Sequence, residues 1–199
     1  MAYQSINPYT EELIKSFNEH TDEQLKAIIA TAENTYKNDW RLRSLPDRKA
    51  IIKKAASIMR EKRDEFATLI TVEMGKLFEE SRGEVDLTAD ILDYYADNAE
   101  KFLAPQKLNA KETDAVVESE PLGVLFCIEP WNFPYYQLVR VAAPNLMTGN
   151  TLIVKHARNV PQCALAFEKL FLDAGAPVGA YTNVPLQRAG SYSNRGRAN

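Results

Sequence analysis

The sequence predicts an α/β fold in which a helical layer precedes an incomplete parallel sheet. Two segments of strand length, the continuous apolar run GVLFCI (123–128) and TLIVK (151–155), read as strands buried on both faces. Each is followed by a helical pattern, over 135–147 and 160–174. The chain before Pro105 reads as a series of helices.

The first helix is expected over 21–40. Thr21 and Gln24 have capping-box spacing, and Leu25, Ile28, Ile29, Ala32 and Tyr36 recur on one stripe. Leu45-Pro46-Asp47 opens a second helix, whose face carries Ile51, Ile52, Ala55, Ile58 and Met59. FATLITVEM continues as a third and stops at Gly75.

Over 83–103, Val85, Ala89, Leu92, Ala96, Ala99 and Leu103 share one side of a long amphipathic helix. The other side carries Glu84, Asp86, Asp90, Asp93, Asp97 and Glu100, expected to be a solvated face. After Pro105, residues 107–122 read as a hairpin around the polar turn AKETD, suited to meeting another subunit.

Thr148-Gly149-Asn150 turns the first sheet helix into TLIVK, Gly175 ends the second, and AYTNV begins a third strand. The resulting βαβαβ unit requires a parallel sheet with right-handed crossovers. Residues 187–199 contain three arginines and no acid, have no periodicity, and are expected to form a disordered tail.

The 199 residues suffice for one good core, and 45% hydrophobic with 26% charged residues suits a packed globular chain. A net charge of −3, from 24 basic and 27 acidic residues, gives no field favouring nucleic acid or an anionic membrane. Two distant cysteines, Cys127 and Cys163, and two histidines suggest neither a disulfide framework nor a metal site. With no signal peptide and no long apolar run, the expected location is cytoplasmic.

In an open parallel sheet, ligands bind beyond the carboxyl ends of the strands, where EPWNFP and KHARN both fall. Gly-rich phosphate loops, HExxH and GxSxG are absent. Pro130 and Pro134 bracket Asn132, whose amide suits an oxyanion donor or, equally, a helix cap or turn former. Lys155, taken alone, is a surface lysine at a strand end. Cys127 lies within a strand and Cys163 on an apolar helix face, where each serves as a small buried hydrophobe.

PWNFP after an apolar strand, a helix ending in TGN, and then TLIVKHA together resemble the aldehyde dehydrogenase superfamily, its succinate-semialdehyde dehydrogenase-like branch in particular. INPYTEE, LRSLPDRKAII, VEMGK and LNA…ESEPLGV extend the resemblance over 3–184. It implies the N-terminal portion of a Rossmann-like cofactor-binding domain over 1–186, with an oligomerisation-type hairpin near 107–122 and a non-family tail over 187–199. It further implies NAD or NADP as cofactor and a small aldehyde such as succinate semialdehyde as substrate. The implied partners are further subunits, as a homo-oligomer or a full-length homologue met through the hairpin.

By this resemblance, Asn132 would donate its side-chain amide to the oxyanion of a thiohemiacetal. Lys155 would reach the adenosine ribose hydroxyls, and the backbone of Ile128, Glu129, Pro130 and Trp131 would line the nicotinamide side. Many family members carry a glutamate where Arg158 stands; an arginine there is compatible with the 2′-phosphate of NADP. The family's Gly-Ser pyrophosphate motif, LELGG-type glutamate and cysteine nucleophile are not found here. The chain alone is therefore expected to be inactive, with weak NAD(P) binding or docking onto full-length subunits as the alternative roles.

Overall fold

The computed structural model describes residues 3–109 and 115–186; the hairpin turn AKETD and the tail 187–199 lie outside the described residues. The chain begins with an antiparallel pair, β1 (Tyr3–Ile6) and β2 (Leu13–Phe17), which the sequence reading did not anticipate. Asn7 turns one strand into the other by accepting the backbone N–H groups of Tyr9 and Thr10 on its side-chain oxygen.

Four helices follow. α1 (Asp22–Asn38) has the capping box formed in both directions between Thr21 and Gln24. α2 (Leu45–Glu61) starts with Pro46 in its first turn and Ser44 as cap, and α3 (Arg63–Met74) ends on left-handed Gly75. α4 (Phe78–Leu103) starts a full turn earlier than the periodicity suggested.

The layer is held by α2 against α4. Ile52, Ala55, Ala56 and Met59 face Val85, Ala89, Leu92 and Ala96, all essentially fully buried. Alanines at the seam allow close approach, so the larger side chains fill the gap, each contributing roughly 1.5–3 kcal/mol. The acidic side of α4 is not simply solvated, because the basic residues beside it pair with it. Asp86 meets Arg63, Asp90 and Asp93 meet Arg60, and Asp93 and Asp97 meet Lys53. These partly exposed pairs add about 0–1 kcal/mol each.

Glu84 corrects the expectation of a solvated face, being only 4% exposed. It lies between the buried Ser81 and Thr88 in the helical period, so the buried stripe is wider than its apolar members mark.

A short ribbon, β3 (Gln106–Leu108) with β4 (Ala115–Val117), leads to the sheet. There β5 (Val124–Ile128), β6 (Thr151–Lys155) and β7 (Tyr181–Asn183) run parallel in the order β5-β6-β7. The crossovers are α5 (Pro134–Thr148) and α6 (Pro161–Ala174). α1 covers one face at Ile153 and Val124, while α5 and α6 cover the other at Leu152 and Val154.

β6 is buried as expected, but β5 is not buried on both faces: Phe126 is 56% and Ile128 67% exposed. Both alternate onto the α1 face beyond Val124, where no described element covers them. β5 is also one of the sheet's two edges among the described residues.

α5, which carries the PWNFP loop at its start, is anchored at its far end by two buried donors. Trp40 Nε1 donates to the Leu146 carbonyl at 3.2 Å, and Arg48 Nε donates to that of Met147 at 3.1 Å. Both reach carbonyls of the last helical turn, and the guanidinium also suits the negative end of the dipole.

Candidate functional site

The two loops singled out in the sequence meet at the carboxyl edge of the sheet. Ile128 is in register with Lys155, and the Glu129 N–H donates to the Lys155 carbonyl at 3.1 Å, extending the ladder one residue past β5. His156 Nδ1 lies 3.3 Å from the Glu129 carbonyl. With its proton on Nδ1 the imidazole donates there, so Glu129 is tied to the β6 loop through both backbone groups. His156 is 2% exposed, and burial lowers its pKa to about 4, which keeps the ring neutral at physiological pH.

Lys155 is half-buried, and Arg158 stands exposed three residues on, its guanidinium carbon 5.9 Å from the centre of the Tyr3 ring. Burial, then the charge of Arg158, lowers the Lys155 pKa. Two cations thus converge at the end of β6. On the β5 side Glu129 is half-buried, with a pKa raised by burial against the opposing charge of Arg140. Pro130, Trp131 and Asn132 are exposed.

The cap of α5 is Phe133, which offers no side-chain cap, so Asn132 does not serve as the helix N-cap. Pro134 has no N–H, which leaves those of Tyr135 and Tyr136 as the orphan donors. Glu84 Oε1 accepts both, at 2.9 and 3.2 Å. α6 repeats the arrangement: Val160 offers no cap, Pro161 follows, and Glu73 accepts the N–H groups of Gln162 and Cys163 at 2.9 and 3.0 Å.

Neither carboxylate was recognised as a site element from sequence. The available signal was the apolar residue before each proline, a helix start with no Ser, Thr, Asp or Asn to satisfy it. The consequence for ligand binding is direct. Both helix N-termini at this edge already hold an internal carboxylate, so neither offers a phosphate its free dipole.

Beside the β6 loop, a cleft of about 530 Å³ opens between the β1–β2 pair, α6 and β7. Tyr3, His20, His156, Glu168, Asn183 and Pro185 are among its lining. His156 and Ala157 of the β6 loop line it, whereas Lys155, Arg158 and Asn132 do not. Neither cysteine enters the site as a poised thiolate. Cys163 is fully buried with a pKa well above the usual thiol range, and burial raises that of half-buried Cys127 as well. Among the described residues no cluster of three or more His, Cys, Asp or Glu could hold a metal, and no helix is long and apolar enough to cross a membrane.

Comparison with known proteins matches the aldehyde dehydrogenase family model over residues 1–192. Succinate-semialdehyde dehydrogenase (NADP+) of Deinococcus radiodurans is 48% identical over 94% of this chain and 39% of its own. A probable succinate-semialdehyde dehydrogenase (NADP+) of Synechocystis is 40% identical over 91% of this chain and 40% of its own. Among solved structures, Gox0499 superposes with a TM-score of 0.93 at 56% identity, covering 94% of this chain and 41% of that one. Succinic semialdehyde dehydrogenase from Streptococcus pyogenes, in complex with NADP+, gives 0.91 at 45% identity, again over 94% and 41%. The chain spans about two fifths of the length of the relatives it matches. Its helical layer, its three parallel strands and both loops at their carboxyl edge lie within the matched residues, and the chain belongs to the aldehyde dehydrogenase family.

Proposed function

We propose that residues 1–186 form the N-terminal part of the cofactor-binding domain of an NADP-using aldehyde dehydrogenase that oxidises a small semialdehyde such as succinate semialdehyde. The observation that carries this reading is the pairing of Glu129 with Lys155, which sets the Asn132 loop and the Lys155–Arg158 loop side by side. The names of the relatives support NADP over NAD.

In this reading Lys155 binds the adenosine ribose, and Arg158 pairs with the 2′-phosphate that distinguishes NADP. The backbone from Ile128 to Trp131 lines the nicotinamide side. NADP+, when bound, supplies the hydride acceptor; the residues of this chain orient it. Asn132 donates to an oxyanion on the aldehyde carbon, which no residue described here attacks. Both cysteines are unsuited to that attack, so the 199 residues alone bind cofactor and do not turn over.

The test is a titration of the purified chain with NADP+ and NAD+, followed by Trp131 fluorescence. Charged hydrogen bonds of about 1.5–3 kcal/mol make Arg158→Glu lose roughly tenfold or more in NADP+ affinity, with NAD+ unchanged. Equal loss for both cofactors would remove Arg158 as the 2′-phosphate partner.

A second role is favoured by the β3–β4 ribbon, where Leu108, Val116 and Val117 stay exposed. An apolar ribbon of this kind suits docking onto another subunit, as a homo-oligomer or with a full-length homologue. Sedimentation of the chain, and of Val116→Lys, tests it: a mass above the monomer that the variant loses supports docking, and a monomer in both opposes self-association.

A further inference from the structure

Glu73 and Glu84 cap two equivalent helices, and they differ in one respect. Glu73 has no cation within ion-pair distance among the described residues, whereas Glu84 forms an ion pair with Lys76. Capping a helix in this fold therefore does not require a lysine. The Lys76–Glu84 pair is almost wholly buried, with side-chain exposures of 8% and 1%. A buried ion pair carries a desolvation cost that a neutral cap would avoid.

The lysine has a second contact. Its ammonium lies 3.8 Å from the centre of the Phe133 ring, and Phe133 packs edge-on against Tyr136 at 6.0 Å. Phe133 is the residue next to Asn132, and its carbonyl accepts the first helical bond, from Gln137 at 3.0 Å. One ion pair thus holds the ring of residue 133 and, through Glu84, the N–H groups of 135 and 136. On the other side of Asn132, the loop is tied down at Glu129 by Lys155 and His156.

We propose that Lys76 and Glu84 are positioning residues for Asn132: the pair clamps Phe133 and the start of α5 and so fixes the direction in which the Asn132 amide is presented. This rests on the reading of Asn132 as an oxyanion donor. A donor aimed in advance avoids reorganisation when charge develops, which is why its support must be stiff. Lys76 acts through Phe133 and Glu84.

The test needs no turnover. In the full chain, the Asn132 side-chain amide and Trp131 indole resonances are recorded with amide exchange at Tyr135 and Tyr136. In Lys76→Met both resonances are expected to collapse towards motionally averaged positions, and exchange at Tyr135 and Tyr136 to rise on the order of tenfold or more. Lys76→Arg, which keeps both the ion pair and the contact with the ring, is expected to restore them. If Lys76→Met fails to fold, Phe133→Leu removes the ring that Lys76 and Tyr136 both touch while leaving the ion pair, and is expected to drive the Asn132 and Trp131 signals towards motionally averaged positions.

Unchanged Asn132 and Trp131 signals in a folded Lys76→Met or in Phe133→Leu would reduce the pair to a helix cap and overturn the proposal. So would a wild-type loop whose signals are already averaged, or a failure of Lys76→Arg to rescue. The functional reading fails separately: undiminished NADPH formation by a full-length family relative that carries the substitution equivalent to Asn132→Ala would remove the oxyanion role and leave this result standing.

Discussion

The backbone N–H of Cys163 donates to the Glu73 carboxylate at 3.0 Å, which places this cysteine in the first turn of α6 and buries its sulfur. Desolvation, and then the adjacent carboxylate, hold the thiol protonated. A helix N-terminus ordinarily favours a thiolate, but here Glu73 has already taken that position. Cys163 is expected to react with a disulfide reagent only after unfolding in urea, and half-buried Cys127 slowly in the native chain. Mass mapping of the first site modified checks this; native labelling of Cys163 ahead of Cys127 would contradict it.

Glu73 is also a stability element. Glu73→Ala leaves the N–H groups of Gln162 and Cys163 without an acceptor near the sheet, at a cost of about 2–4 kcal/mol. Glu73→Gln keeps an acceptor oxygen and is expected to cost less than half as much. Urea denaturation followed by circular dichroism measures both, and equal loss in the two variants would show that charge, and not capping, is what matters.

His156 makes stability depend on pH. Its folded pKa of about 4 lies below the ordinary value of 6.5, so between these values the unfolded chain binds more protons than the folded one. The contribution of the neutral ring is fully present above pH 6.5 and is lost as pH falls towards 4, a change of about 3 kcal/mol in order of magnitude. His156→Gln is expected to flatten the dependence of unfolding free energy on pH in that window. His20, lowered in the same direction by burial, accounts for a residual slope. A variant as steep as wild type would contradict the assignment.

Two glycines separate backbone strain from crowding. Gly175 ends α6 with φ +99° and open space where a Cβ would point, so Gly175→Ala costs only strain, about 1–2 kcal/mol. Gly179 has φ +91°, and a Cβ there would lie 2.8 Å from Thr35 Oγ1 and 3.1 Å from the Thr31 carbonyl. The Thr35 hydroxyl also donates to the Val178 carbonyl at 2.7 Å, joining α1 to the entry of β7. Gly179→Ala is therefore expected to cost about 2–4 kcal/mol, clearly more than Gly175→Ala, in the same urea experiment. Equal costs would show that the α1 contact yields without resistance.

What could be read from the residues was what local chemistry decides. The capping box at Thr21 and Gln24, the glycine stops at Gly75 and Gly175, and the parallel strands flanking α5 follow from neighbours in sequence. The β1–β2 pair was missed because its strands are short, although the turn formed by Asn7 was a usable signal. The exposure of Phe126 and Ile128 could not be read, since an apolar run looks the same whether α1 reaches over it or stops at Val124. That the loops at 128–132 and 155–158 adjoin could be read from the strand order, but what supports them could not. Glu84 meets its partners about fifty residues away, and its place among other acids disguised it as part of a solvated face.

The measurement that bears most directly on the central claim is NADPH formation by the purified chain with succinate semialdehyde, alongside Cys127→Ala and Cys163→Ala, with NADP+ binding monitored on the same sample. Saturable NADP+ binding and no NADPH from any of the three are expected. NADPH formation that either cysteine substitution abolishes would contradict the central claim, since a thiol whose pKa burial raises would then be the nucleophile.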